Sequence, residues 1–157
     1  MGYDNAMQWH HETFTVSDER DRLDLDVIHG YLARSYWAKG VPREIVARSI
    51  EHSLCFGLYA DGTDGASEQI GFARIISDRA TTAYLADVFV LESWRGRGLS
   101  KFLMRCIRSH PDLQGLRRWM LATADAHGLY RQFGFLPLAD PDRMMEIVDR
   151  DVYLRLR

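Results

Sequence analysis

Cysteine is scarce in this 157-residue chain. Cys55 and Cys106 are its two cysteines, and neither stands with histidines at a spacing that suits zinc. A disulfide framework and a cysteine–histidine metal site are therefore excluded. Both thiols lie in apolar stretches, where buried and inert cysteine is the expected state, and Cys106 as a nucleophile is set aside because it falls on the apolar stripe of a helix. Charge of one sign is lacking too: 20 Lys and Arg against 22 Asp and Glu leave a net charge of -2. That balance gives no chain-wide attraction to nucleic acid or to an anionic membrane, so any anion site must be local. Nowhere do eighteen apolar residues run together, and the start, MGYDNAMQWHHETF, has no basic region leading into an apolar core. A cytoplasmic location is the default expectation. His10 and His11 belong to this polar leader, and a lone histidine pair there reads as solvated rather than metal-binding.

What is present is ordinary for a folded protein. Hydrophobic residues make up 46% and charged residues 27%, which excludes disordered, collagen-like and coiled-coil classes. The length suits a single domain over residues 1–157, with 1–12 expected to be a loosely ordered leader. Phe14 to Val16 reads as a short strand. Leu25, Ile28, Leu32 and Tyr36 then fall at helical spacing after Ser17 and Asp18. Gly40 ends that helix, and Pro42 opens a second with Ile45, Val46, Ser49 and Ile50 on its inner face. Leu54 to Tyr59, Gln69 to Ser77 and Thr81 to Val90 read as three sequential antiparallel strands joined by turns. Leu99, Phe102, Leu103, Cys106 and Ile107 mark an amphipathic helix. Trp119 to Ala122 reads as a brief buried strand, a short helix from about Asp125 carries Leu129, Tyr130 and Phe133, and Phe135 to Leu138 and Met145 to Val148 read as final strands.

The local anion site is legible between Val90 and Leu99. An apolar strand, the connector LESW, the loop RGRG and an amphipathic helix follow one another, an order that gathers free backbone N–H groups at a helix start. Gly96 and Gly98 can adopt positive φ, and Arg95 and Arg97 add donors and charge. A dinucleotide fingerprint would need a third glycine where Lys101 stands, and the NTPase phosphate loop GxxxxGK[ST] is absent.

The segment YLADVFVLESWRGRGLSKFLM, Tyr84 to Met104, resembles the cofactor motif of the GCN5-related N-acetyltransferase (GNAT) superfamily. The family pattern R/Q-x-x-G-x-G/A is matched by Arg95 and Gly98, with Ser100 at the last small position. LATADAHGLYRQFGF, Leu121 to Phe135, is similar to the family's later motif, in which LY and GF follow a short strand. The resemblance implies an α+β fold: a mixed, mostly antiparallel sheet of six to seven strands, splayed in the middle and flanked by four helices. It also implies an acetyl-CoA-dependent N-acetyltransferase that needs no metal. Backbone groups of Val88, Phe89 and Val90 would hold the pantetheine arm and polarise the thioester. Arg95, Gly96, Arg97, Gly98, Leu99 and Ser100 would take the pyrophosphate, and Thr123 would lie near the pantetheine.

By the same resemblance Tyr130 would protonate the departing thiolate as general acid. Asp87 is the one charge between Ala83 and Val90, and strand alternation puts it on the face of Leu85 and Phe89. It would hold the amine or pass its proton through water, while pairing with Arg74 is an equal alternative. His127 and water are the other candidate bases. YLADVFV also resembles the matching strand of polyamine-type members, with Ala86 where those carry a second acid. Tyr31, Tyr36, Trp37 and Arg74 are candidates for the acceptor pocket. The expected acceptor is a primary amine on a small molecule, acetylated by direct transfer. A protein N-terminus or lysine, or a non-catalytic acyl-CoA sensor, are the alternatives. Neither nucleic acid nor membrane is an expected partner, and a homodimer and a monomer both remain open.

Overall fold

Alternating apolar residues give this chain one six-stranded sheet, and two amphipathic pairs of helices cover its faces. The computed structural model describes residues 6–156. The strands are β1 (Gln8–His11), β2 (Phe14–Ser17), β3 (Leu54–Asp61), β4 (Ser67–Ser77), β5 (Thr82–Val90) and β6 (Arg118–Leu121), and they lie in the sheet in chain order. Every pairing is antiparallel except β5 with β6, which is parallel and joined by a helical crossover.

Helices α1 (Leu25–Leu32) and α2 (Arg43–Glu51) cover one face. Ile28, Leu32, Val46 and Ile50 pack there on Cys55, Phe72 and Phe89. Asp24 caps α1 by accepting from the N–H groups of Asp26 and Val27, which ties down two donors of the first turn. The other face holds α3 (Leu99–Ser109) and α4 (His127–Arg131). The stripe Leu99, Phe102, Leu103, Cys106 and Ile107 is buried on Val16, Phe56, Leu58, Ile75 and Leu85. Both cysteines are buried and free, and burial pushes each thiol up to about 12, which leaves no thiolate at neutral pH. Among the described residues no helix is long and apolar enough to cross a membrane.

Four expectations need correction. The leader 1–12 is not loose over its second half: β1 pairs with β2 from Gln8↔Ser17 to His11↔Phe14, His10 Nδ1 lies 3.0 Å from Thr15 Oγ1, and Trp9 packs on Phe56. Residues 1–5 lie outside the described residues. The first helix stops at Leu32 and does not reach Tyr36, because the chain leaves the helix in successive turns held by Ser35 Oγ, which donates to the carbonyl of Leu32. Phe135 to Leu138 and Met145 to Val148 form no strand and pair with nothing in the sheet. Pro137 removes a ladder donor from the first, and the second runs fully exposed. A fifth helix, α5 (Val152–Arg155), follows the four expected.

Leu103 lies at the centre of the α3 face with no solvent exposure. Truncating Leu103→Ala is expected to destabilise the fold by about 2–5 kcal/mol, against under about 1 kcal/mol for Ile76→Ala on the exposed side of β4. Urea unfolding midpoints compare the two.

Candidate active site

The parallel pairing of β5 with β6 ends at Leu85↔Leu121. Beyond that point the two strands part, and the edge of β5 from Ala86 onward faces no strand on that side. A cavity of about 570 Å³ opens in the gap, bounded by Ala86 to Val88 on one side and Leu121 to Ala126 on the other.

The cause lies in the register of β5 with β4. Phe72 faces Phe89 and Arg74 faces Ala86, so Ala73 alone opposes both Asp87 and Val88. That is a bulge with one extra residue on β5, and Asp87 takes a left-handed φ of 55° to form it. The bulge overturns the expected alternation. Leu85 packs under α3 whereas Phe89 packs under α1 and α2, so the two do not share a face with each other. Asp87 turns toward the α1 and α2 side. Its Oδ2 accepts from Arg74 Nε at 2.8 Å, and its Oδ1 accepts from Trp37 Nε1 at 2.9 Å. The pair is well shielded, with side-chain exposures of 17% for Arg74 and 12% for Asp87, and Arg74 Nη1 also donates to Ser53 Oγ at 3.2 Å. Both carboxylate oxygens are thus engaged. The pairing with Arg74 that the sequence left as an alternative is present.

Tyr130 reaches the cavity from α4. Its ring packs edge-on against Phe135 at 5.9 Å, and its hydroxyl has no hydrogen-bond partner among the described residues. Burial raises its pKa to about 12, with Tyr36 and Asp125 adding to the shift, so the phenol keeps its proton through the neutral range. Tyr36, Trp37, Arg74 and Asp87 form the opposite wall. Tyr36 accepts from the N–H of Ala124 at 3.1 Å, which bridges the segment after α1 to the segment after β6. Thr123 lies in the wall, but its Oγ1 accepts from the N–H groups of Ala126 and Asp125 and so caps the start of α4. His127 is exposed and stands outside the cavity.

At the far end of β5 the loop turns as the glycines require, with φ of 82° at Gly96 and 74° at Gly98. A methyl group on either would meet open space, so the left-handed angle is what calls for glycine there. Gly98 opens α3, and among the described residues the N–H groups from Gly96 to Ser100 find no acceptor. Five donors at a helix start suit an anion. The two arginine side chains point in different directions. Arg95 turns inward, donating from Nε to the carbonyl of Val90 at 3.1 Å and from Nη2 to the hydroxyl of Tyr31 at 2.7 Å. Arg97 lies over the Trp94 ring at 4.8 Å. Tyr31 therefore does not line the cavity: it stacks on Phe89 at 4.0 Å and anchors Arg95. Two tyrosines of the cavity wall escaped the sequence reading. Tyr84 was hidden in a strand pattern, and Tyr153 lies on α5, where no motif marked it.

A model of the acetyltransferase (GNAT) domain matches residues 51–137, more than half of the chain. The chain belongs to the GNAT acetyltransferase family. The provisionally named acetyltransferase FG08082 of Gibberella zeae is 31% identical over 140 residues, which span 78% of each protein. A crystal structure from Xanthomonas campestris pv. campestris, of a protein provisionally assigned to the GNAT acetyltransferases, is 50% identical with a TM-score of 0.84, covering 92% of this chain and 99% of that one. Glucosamine-6-phosphate N-acetyltransferase from Arabidopsis thaliana shares the fold at 15% identity and a TM-score of 0.60, over 88% of this chain and all of that one. The GNAT model spans β3 to the end of α4, which takes in the bulge, the loop and Tyr130.

Arg74 and Asp87 are expected to behave as one unit. In a double-mutant cycle Arg74→Ala and Asp87→Ala should each destabilise, because each leaves a shielded partner charge, and the double variant should cost less than their sum by about 1–3 kcal/mol. Additive losses in urea unfolding would mean that the pair is not coupled.

Proposed function

We propose that this chain transfers an acetyl group from acetyl-CoA directly to a primary amine on a small molecule. The observation that carries the reading is the alignment along β5 of three features: the unpartnered N–H groups from Gly96 to Ser100, the free strand edge from Ala86 to Val90, and the cavity containing Tyr130. An extended donor with phosphates at one end and a thioester at the other fits that line. The loop N–H groups would hold the pyrophosphate, with Arg97 free to swing from Trp94 and Arg95 fixing the loop from behind. The outward backbone groups of Val88 and the N–H of Val90 would receive the pantetheine amides and polarise the thioester carbonyl, while Phe89, opposite Phe72, turns its backbone groups toward β4. The carbonyl of Val90 is already taken by Arg95.

In the transfer step the amine nitrogen attacks the thioester carbon, the new C–N bond forms and the C–S bond breaks. The departing thiolate takes the proton of Tyr130, which is protonated at neutral pH, and the phenolate left behind recovers a proton from the water that receives the amine's. The amine must shed a proton, which for a lysine-like group near pH 7 costs roughly 4–5 kcal/mol from a reference pKa of about 10.4. Asp87 is suited to drawing a cationic amine toward the cavity, but with both oxygens bonded it is a positioning carboxylate rather than a free base, and the proton passes to water. A volume of about 570 Å³ walled by aromatic side chains matches a small acceptor better than a protein segment.

Free-thiol release from acetyl-CoA across a panel of amines tests the reading, alongside calorimetric titration with CoA. Turnover with at least one small amine is expected, and tight CoA binding without turnover on any amine would favour a sensor instead. For Tyr130→Phe the expected outcome is a fall of roughly 10²-fold or more in kcat with CoA affinity retained. Unchanged kcat would remove Tyr130 from the mechanism.

A further inference from the structure

The cavity between β5 and β6 carries an uneven set of charges. Among the described residues Arg74 is the one basic side chain in its wall, and two carboxylates, Asp87 and Asp125, stand against it. Arg74 is engaged within the wall: Nε donates to Asp87 Oδ2 at 2.8 Å, and Nη1 donates to Ser53 Oγ at 3.2 Å. The Arg74 and Asp87 charges offset each other, so the charge in surplus is that of Asp125. The N–H of Asp125 donates to Thr123 Oγ1 at 3.4 Å, while its carboxylate has neither a hydrogen bond nor a cation among the described residues. After burial and Tyr36, the charge of Asp125 adds to the upward push on the Tyr130 phenol, so the carboxylate acts on the space around that hydroxyl. A surplus negative charge there attracts a cation, and a wall whose arginine is already paired offers little to a carboxylate or a phosphate.

Much of the remaining wall is aromatic. Tyr84 alternates with Ala83 and Leu85, which are buried under α3, so it shares the α1 and α2 side with Asp87. Tyr153 reaches the same cavity from α5, and Tyr36 and Trp37 reach it from the turns after α1. Trp37 is 41% exposed and Tyr84 38%, so both rings keep much of their surface uncovered. Trp37 meets Tyr36 edge-on at 5.0 Å, whereas the rings of Tyr84 and Tyr153 meet no other aromatic ring among the described residues. Ring faces left open beside a cavity suit a flat apolar body, and their electron-rich surfaces tolerate a cation attached to it.

From the unpaired carboxylate and the open rings we infer, on the acetyl-transfer reading above, that the acceptor is a cationic amine carried on an aromatic body with no acid group of its own. Asp125, Tyr84 and Tyr153 select it. The ammonium faces Asp125, which brings the nitrogen to the Tyr130 end of the cavity, and the ring lies against Tyr84 and Tyr153. An acid group on the acceptor would enter beside carboxylates with no free cation to meet it. A short alkylamine would leave the ring faces to water.

Calorimetric titration of the chain with 2-phenylethylamine, L-phenylalanine and butylamine reads this selection without any donor. L-phenylalanine adds only a carboxylate to the first amine, and butylamine lacks its ring. 2-Phenylethylamine is expected to bind roughly 10-fold or more tighter than either of the others. Asp125→Asn should weaken its binding roughly 10-fold and narrow its lead over L-phenylalanine, whereas Tyr84→Ala should weaken it without narrowing that lead. Both side chains are exposed, so both variants should keep the thermal midpoint of the wild type. Equal affinity for the three amines, no binding of 2-phenylethylamine at millimolar concentration, or an Asp125→Asn variant that binds it like the wild type would overturn the inference. Thiol release from acetyl-CoA separates the selection from the transfer reading. The expected order of binding with no turnover would end the transfer reading and leave the selection standing. Turnover of L-phenylalanine or butylamine ahead of 2-phenylethylamine would overturn the selection and leave transfer in place.

Discussion

One extra residue in β5 decides the shape of everything around the site. Because Asp87 and Val88 share the single partner Ala73, the strand changes face between Leu85 and Phe89, and its local twist increases as it leaves β6. Upstream of the bulge β5 is an interior strand, paired on both sides. Downstream it is paired only to β4, and the other edge looks into the cavity. A left-handed φ at a residue with a side chain is unfavourable by about 1 kcal/mol or more, and aspartate tolerates it better than most. The bonds from Arg74 and Trp37 to Asp87 hold that geometry. The carboxylate thus maintains the opening as well as lining it, and a substitution there changes both shape and charge.

A second set of contacts ties the anion loop to the helical face. Arg95 grips the end of β5 through the carbonyl of Val90 and reaches α1 through Tyr31, whose ring stacks on Phe89. Arg34 adds a bidentate bond to Glu92, at 2.5 and 3.1 Å, just before the loop. Both arginines are exposed, so each contact by itself is worth little. Together they hold the start of α3 in fixed relation to α1, and so hold the glycine loop in fixed relation to the cavity wall at Trp37.

Much of this was legible in the residues. The switch of period from two to 3.6 after Val90, the paired glycines and the LY and GF of the later segment located the sheet, the loop and Tyr130. The bulge was not legible, since an extra residue in a strand leaves the sequence looking like plain alternation, and that is why Asp87 was grouped with Leu85 as well as with Phe89. The direction of Arg95 was hidden for a related reason: an arginine beside glycines suits a bound anion as well as it suits a clamp to Tyr31. Phe135 to Leu138 and Met145 to Val148 have real strand patterns and yet no partner in the sheet. Periodicity reports what a segment could pair with and is silent on whether a partner strand is there to receive it. Tyr153 entered the cavity from that region, beyond the reach of any motif.

The central claim is that one line along β5 holds the donor, phosphates at the loop and thioester at the bulge. Backbone amide resonances of a ¹⁵N-labelled chain, followed through a titration with CoA and in parallel with phosphate-free pantetheine, test it most directly. The account predicts that CoA shifts the amides of Gly96 to Ser100 together with those of Val88 and Val90, whereas pantetheine shifts only the latter pair. Loop amides that stay still under saturating CoA would contradict it.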